Sequence, residues 1–238
     1  MNPTVLTLFG LETAIVAAAS ALQASAGMGM ALLAAPLLAL VDPALVPGPM
    51  LGAVMALSAI VGWRERAAID RRVLATALSG LIVGCILGAM LVVALSGLNL
   101  THAFAILILA AVLLSMSGLH VRANRPALLI GGIASGVLGT LVGVQGPPIA
   151  LVLQHEVPDR LRATLCSFFA IGSLVSLFAL AVSGAFRADQ IGLCLQLLPG
   201  VAVGLAIAAL IGRRINRRAA RMLVLGISAL SGLALLLR

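Results

Sequence analysis

Long apolar runs separated by short polar breaks cover this chain almost from end to end. They lie at approximately 4–26, 28–41, 47–63, 73–96, 102–119, 127–143, 147–154, 163–183, 190–211 and 219–237. Most approach or exceed the roughly 17–25 residues that a helix needs to cross a bilayer. No stretch shows the alternation over about ten residues that marks a membrane β-barrel. The pattern predicts an all-α integral membrane protein, a polytopic helical bundle of about 8–10 segments forming a single membrane domain over residues 1–238. Two runs are conspicuously short, 28–41 and 147–154, and each is the second in its half of the chain.

The break ahead of the second short run reads Gly139-Thr-Leu-Val-Gly143-Val-Gln-Gly146-Pro147-Pro148-Ile149. Its glycines loosen a helix, and Pro147 suits the first turn of a new one, where its missing N–H would have had no partner. A helix restarted inside lipid points its free N–H groups and positive dipole end into whatever cavity lies there. The stretch reads as half of an anion site.

The other half comes from an internal repeat. An offset of 112 sets Gly27 on Gly139, Ala34 on Gly146, Pro36 on Pro148 and Leu37 on Ile149. Later the offset grows to 119–120, where Asp70 meets Asp189, Gly80 meets Gly200 and Gly84 meets Gly204. The expected repeats run approximately over 1–120 and 126–238.

Charge sets how the repeats are oriented. The net charge of +8 comes from 15 arginines with no lysine, and the arginines sit almost entirely in short loops. That placement is membrane topology through the positive-inside rule, so no nucleic acid is expected as a partner. Arg64, Arg66, Arg71 and Arg72 follow the third segment, whereas the corresponding loop of the second half carries Arg187 with Asp189. After the fourth segment the pattern reverses: Ser96–Thr101 is uncharged, and its counterpart holds Arg213, Arg214, Arg217, Arg218 and Arg221. Swapped charge at corresponding loops predicts two inverted-topology repeats, each with a Gly/Pro-broken helical hairpin. Loops 63–72, 120–126, 155–162 and 212–221 then face the cytoplasm, and both termini face outward across the cell (inner, cytoplasmic) membrane.

Helix length places the breaks. From Pro147 to Arg160 is about 13 residues, or roughly 20 Å, against a hydrocarbon core of roughly 30 Å. Met28 to Asp42 gives about the same depth from the other side. The two hairpin turns should therefore meet near the midplane, where irregular backbone survives only against protein or a cavity.

Composition agrees: 62% of residues are hydrophobic, 9% are charged, and the mean hydropathy is +1.22. Cys85, Cys166 and Cys194 lie singly in apolar runs, without redox or zinc spacing. No basic residue precedes Arg64, so the first segment is expected to stay in the mature chain rather than act as a signal peptide.

At the breaks, Gly27-Met-Gly29 followed by Ala35-Pro36-Leu-Leu, paired with Gly143-Val-Gln-Gly146-Pro147-Pro148, resembles the TauE/SafE family of membrane transporters. Members typically carry Gly-x-Gly with a downstream Pro-Leu-Leu in the first half and a Gly-rich turn ending in Gly-Pro in the second. That second turn is often Gly-x-Gly-Gly-Gly-Pro, so Gln145 stands here in place of a glycine. The resemblance covers essentially the whole chain. It implies a membrane transporter, in the exporter sense, for a small sulfur-containing anion such as sulfite or an organosulfonate.

The candidate substrate-binding residues are Gly27, Gly29, Pro36, Gly143, Gln145, Gly146 and Pro147, with the nearby polar side chains Gln23, Ser25 and Thr140. Backbone N–H groups suit a compact oxyanion because they supply directed donors without a buried cation. The glycines could instead serve only close helix packing. Gly80-x3-Gly84-x3-Gly88 and Gly200-x3-Gly204-x3-Ala208 read as packing faces between the repeats, with a homodimer interface as the alternative. His155, Glu156, Asp159, Arg160 and Arg162 form either a solvated loop or a polar vestibule, and His102 and His120 bound one segment at the interface. Glu12 reads as an outer-interface residue rather than a proton carrier. No metal spacing, cofactor motif or catalytic constellation is present, so no metal, cofactor or enzyme activity is expected. An anion channel or passive uniporter, and a non-transporting membrane subunit, are the rival readings.

Overall fold

The computed structural model describes residues 3–27, 29–95, 100–117, 119, 121–211 and 217–237. Met28, Ser96, His120, Arg213 and Arg214 lie outside the described residues. The described residues form ten α-helices: α1 (Pro3–Ala26), α2 (Met30–Val41), α3 (Gly48–Arg64), α4 (Arg71–Ala94), α5 (Leu100–Met116), α6 (Arg125–Val142), α7 (Gly146–Leu153), α8 (Pro158–Val182), α9 (Ile191–Ile211) and α10 (Arg217–Leu236). No strand occurs among the described residues. The polytopic helical bundle is thus what the apolar pattern predicts. Six of the helices are long and apolar enough to cross a membrane, and α2, α3 and α5 are shorter apolar helices.

Local chemistry sets the helix ends. Asp70 accepts hydrogen bonds from the backbone N–H groups of Arg72 and Val73 to start α4, and Asn124 accepts from Ala127 to start α6. Proline occupies the first turn of α3, α6, α7 and α8, where its missing donor costs nothing. Several boundaries differ from the hydrophobic pattern: α4 begins at Arg71 and α10 at Arg217, inside the loops expected at 63–72 and 212–221. The loop expected at 155–162 ends at Val157, and α8 begins at Pro158. Arg160 and Arg162 therefore stand on the first turns of a helix, because polar residues suit an exposed first turn as well as they suit a loop. The same shift shortens the span used for the depth of the second break, since α7 is 8 residues, about 12 Å, whereas α2 is 12 residues, about 18 Å.

The helices pair in a regular way. α1 lies along α9, α4 lies along α6, α3 packs on α8, and α5 packs on α10. α2 reaches α10 and α7 reaches α5. Exchanging the first five helices for the last five returns the same pairs. The closest approach is α4 on α6. A methyl at Gly84 would overlap the carbonyl oxygen of Ile133 and stand 3.0 Å from Gly136 Cα. On α9, a methyl at Gly204 would lie 2.5 Å from the Ala17 oxygen of α1. Both glycine stripes thus pack inside this chain, as expected of faces that let backbones touch in the absence of a hydrophobic drive between helices in lipid.

Candidate functional site

Each hairpin turns on a glycine that closes a helix. The N–H of Gly27 bonds to the oxygen of Gln23 at 2.7 Å with φ +83, and that of Gly143 bonds to the oxygen of Gly139 at 2.9 Å with φ +76. Both are in the left-handed region, which glycine enters without the clash of a Cβ. Gly27 therefore matches Gly143 in role, an offset of 116, and not Gly139 as the sequence offset of 112 suggested. Four residues is close to one helical turn, so small residues on one face match equally well at either register. Gly29, with φ +119, starts α2, and Gln145 stands at the corresponding position before α7.

The two turns share one cavity. Gly29, Ala31 and Leu32 from the first hairpin line a pocket of about 30 Å³ together with Gly143, Gln145, Gly146, Pro147 and Ala150 from the second. Gln23, Val54, Ser115 and Phe169 complete it. That volume is room for about one or two waters. A second cavity of about 190 Å³ shares Gly29, Leu32, Ser115, Pro147 and Ala150 with the first and continues toward Gln154, Leu161 and Arg221.

Of the residues singled out from sequence, Gln23, Gly29, Gly143, Gln145, Gly146 and Pro147 line the small pocket. The other four stand apart from both cavities. Gly27 packs on the start of α8, where a methyl would lie 3.0 Å from Arg162 Cα. Ser25 donates back to the oxygen of Ala21 at 2.7 Å within its own helix. Pro36 is buried inside α2, beyond its first turn, and Thr140 faces the α4–α8 side.

Buried polar side chains brace the turns. Gln23 Nε2 donates to Ser58 Oγ at 2.8 Å, tying α1 to α3. In the second half Ser176 of α8 receives Gln145 Nε2 and Thr140 Oγ1, each at 3.3 Å, and lies 3.3 Å from Cys85 Sγ. Ser58 and Ser176 were not anticipated, although they sit at an offset of 118 and are hydroxyls inside apolar runs. Gln145 is 2% exposed, and its Oε1 lies beside Gly172 without a hydrogen-bond partner among the described residues. Its amide fills space that glycines at 139 and 172 leave open, so it folds back into the helix packing behind the turn.

The charged segment expected as a loop or vestibule is mostly spoken for. Arg162 pairs with Glu65 through two nitrogens, Nε to Oε2 at 2.8 Å and Nη2 to Oε1 at 2.5 Å. Arg160 pairs with Asp70, whose other oxygen caps α4. These contacts hold the start of α8 to the α3–α4 connection, while His155, Asp159 and Arg160 stay exposed. Glu12 is not a solvated rim residue either: it is 5% exposed, with Oε2 accepting from Gln196 Nε2 of α9 at 2.6 Å. The packed α1–α9 pair buries it. No group of three or more metal-ligating side chains occurs among the described residues.

A family model described as "Sulfite exporter TauE/SafE" matches residues 13–235. No curated protein and no solved structure matches the chain.

Proposed function

Because the chain belongs to the sulfite exporter TauE/SafE family, we propose that it carries a small sulfur-containing anion, such as sulfite or an organosulfonate, outward across the cell membrane. The anion binds between the turns of two broken hairpins and is exposed alternately to each side as two inverted-topology repeats, about 1–120 and 126–238, rock against each other. The carrying observation is that Gly29 and the Gly143–Pro147 turn line one small cavity. Pro147 and Pro148 carry no N–H, so the start of α7 offers the Gly146 N–H and the positive end of the helix dipole. A neutral donor and a dipole hold an oxyanion without an ion pair to break on release. The pairing of α1 with α9, α4 with α6, α3 with α8 and α5 with α10 supports the exchange of halves that this mechanism needs. The arginine-rich loops support the cytoplasmic face at 63–72, 155–162 and 212–221, with both termini outside.

The test is sulfite efflux from proteoliposomes with two substitutions at Gly146. A methyl there would lie 3.7 Å from Phe169 Cζ, an ordinary contact, so Gly146→Ala should fold and transport. Gly146→Leu should insert and fold but lose transport, because three further carbons fill the cavity. Normal transport by Gly146→Leu would sink the site. Flux that rises linearly with sulfite and never saturates would replace the carrier by a channel.

A further inference from the structure

Below the turns, the larger cavity contains one cation whose role the packing does not absorb. Arg221 lies in the second turn of α10 and lines the cavity of about 190 Å³ with Ser115 and Gln154. Its Nη2 donates to the Ser115 carbonyl oxygen at 2.6 Å, which holds the side chain against the end of α5. A guanidinium has five N–H donors in a planar fork, so this contact leaves most of the fork unused. Arg160, Arg162 and Arg187 each face a carboxylate, whereas no ion pair among the described residues includes Arg221. Ser115 is one of the five residues that line both cavities, so Arg221 is anchored where they meet.

The opposite side is built differently. A cavity of about 340 Å³ lies among Val46, Pro47, Phe104, Leu107, Val142 and Leu235, at the other ends of the same helix pairs, and no charged side chain lines it. The two cavities therefore differ in charge.

We infer that Arg221 is the substrate-holding cation of the cytoplasmic approach: it takes two oxygens of the sulfur oxyanion in its fork and passes the anion to the turns. The inference rests on the transport reading above and adds to it a specificity-determining residue. A planar fork matches a group with two adjacent oxygens, as in sulfite or a sulfonate, better than it matches a halide. The apolar outer cavity offers no second cation, so an anion that reaches it is not held there.

The experiment is isothermal titration of the detergent-purified full chain with sulfite at low salt, for wild type, Arg221→Gln, Arg221→Lys and Arg187→Gln. Arg221→Gln should raise Kd about tenfold, equivalent to about 1.4 kcal/mol. Arg221→Lys should fall between Gln and wild type, because it keeps the charge but not the fork. Arg187→Gln, which alters an exposed arginine away from the cavities, should bind as wild type. Added salt should weaken wild type more than Arg221→Gln. Equal Kd for wild type and Arg221→Gln would overturn the assignment while leaving the transport reading intact. Wild type that binds none of sulfite, thiosulfate and sulfoacetate would overturn the transport reading and this one with it. Should Arg221→Gln fail to fold, wild type alone decides, since a sulfite Kd indifferent to salt would also exclude the cation.

Discussion

Two serines one helical turn apart on α8 should respond oppositely to the same substitution. Ser173 and Ser176 are both fully buried, at 0% exposed. Ser176 Oγ accepts from Gln145 and Thr140, whereas Ser173 Oγ has no hydrogen-bond partner among the described residues. Ser176→Ala removes one oxygen and leaves two buried donors without their acceptor. A hydrogen bond between membrane helices is worth about 0.6 kcal/mol on average and up to about 1.7. Two such bonds put the loss at about 1–3 kcal/mol. For a chain of this size, each kcal/mol moves the midpoint by about 2–4 °C, so the melting temperature should fall by about 2–12 °C. Ser173→Ala removes a hydroxyl that was buried unpaired, so its melting temperature should stay level or rise slightly. Circular dichroism of both variants in detergent reads the difference, and their shared helix and depth cancel any general effect of Ser→Ala. Because Ser176 holds Gln145 behind the turn, Ser176→Ala should also raise the sulfite KM, while Ser173→Ala leaves it unchanged. Equal melting shifts for the two variants would refute the idea that Ser176 braces the second hairpin.

Other elements give predictions of the same kind. Gly84→Ala would push a methyl onto the Ile133 carbonyl and should cost about 1–3 kcal/mol of thermal stability through overpacking, whereas Gly226→Ala, with nothing within 4 Å, should melt as wild type. Glu65→Gln and Arg162→Gln each break a pair whose side chains are about a quarter exposed. Each should cost about 1–2 kcal/mol, less than a fully buried pair because solvent screens it. The double variant should cost little more than either one, and additive losses in the cycle would refute the coupling. For topology, a cysteine placed at Asp189 in intact cells should react with an impermeant maleimide above the background of Cys85, Cys166 and Cys194, and one placed at Glu156 should not. The reverse labelling would invert the assignment.

What the sequence made legible follows from what lipid demands. A helix in hydrocarbon satisfies its own backbone, so hydropathy alone places ten segments close to the ten observed helices. The two breaks were legible for the same reason, since Gly143–Pro147 combines residues that an uninterrupted span disfavours. Register was harder to read. Gly27 and Gly139 match in small size, yet only the left-handed φ of Gly27 and Gly143 identifies which residues turn the chain. The reach of side chains was not legible at all. Gln145 read as a candidate ligand, and the bond of its amide to Ser176, 31 residues away on α8, leaves no mark along the chain. Arg160 and Arg162 read as loop charge, and their partners Asp70 and Glu65 lie 90 and 97 positions earlier. Arg221 read as one of several topogenic arginines, since nothing along the chain separates a cation that faces a cavity from one that faces water.

The division of labour between turn and mouth has a physical reason. A guanidinium at the turns themselves would sit in a pocket of about 30 Å³ and, with the substrate gone, would be a buried charge without a partner. Breaking a buried pair in that way costs several kcal/mol, which would tie release of the anion to an uphill step in every cycle. The Gly146 N–H and the dipole at the start of α7 carry only partial charge, so losing an anion held there would cost far less. A cation is useful where water can reach it, and Arg221 is exposed, so hydration stabilises it whenever the cavity is empty. The two arrangements differ in one measurable way. With the charge confined to the mouth, salt should raise the sulfite KM of wild type and leave the turnover at saturation unchanged, because the step through the turns involves no full protein charge. A maximal rate that falls with salt in parallel with the affinity would put a charged group at the turns after all.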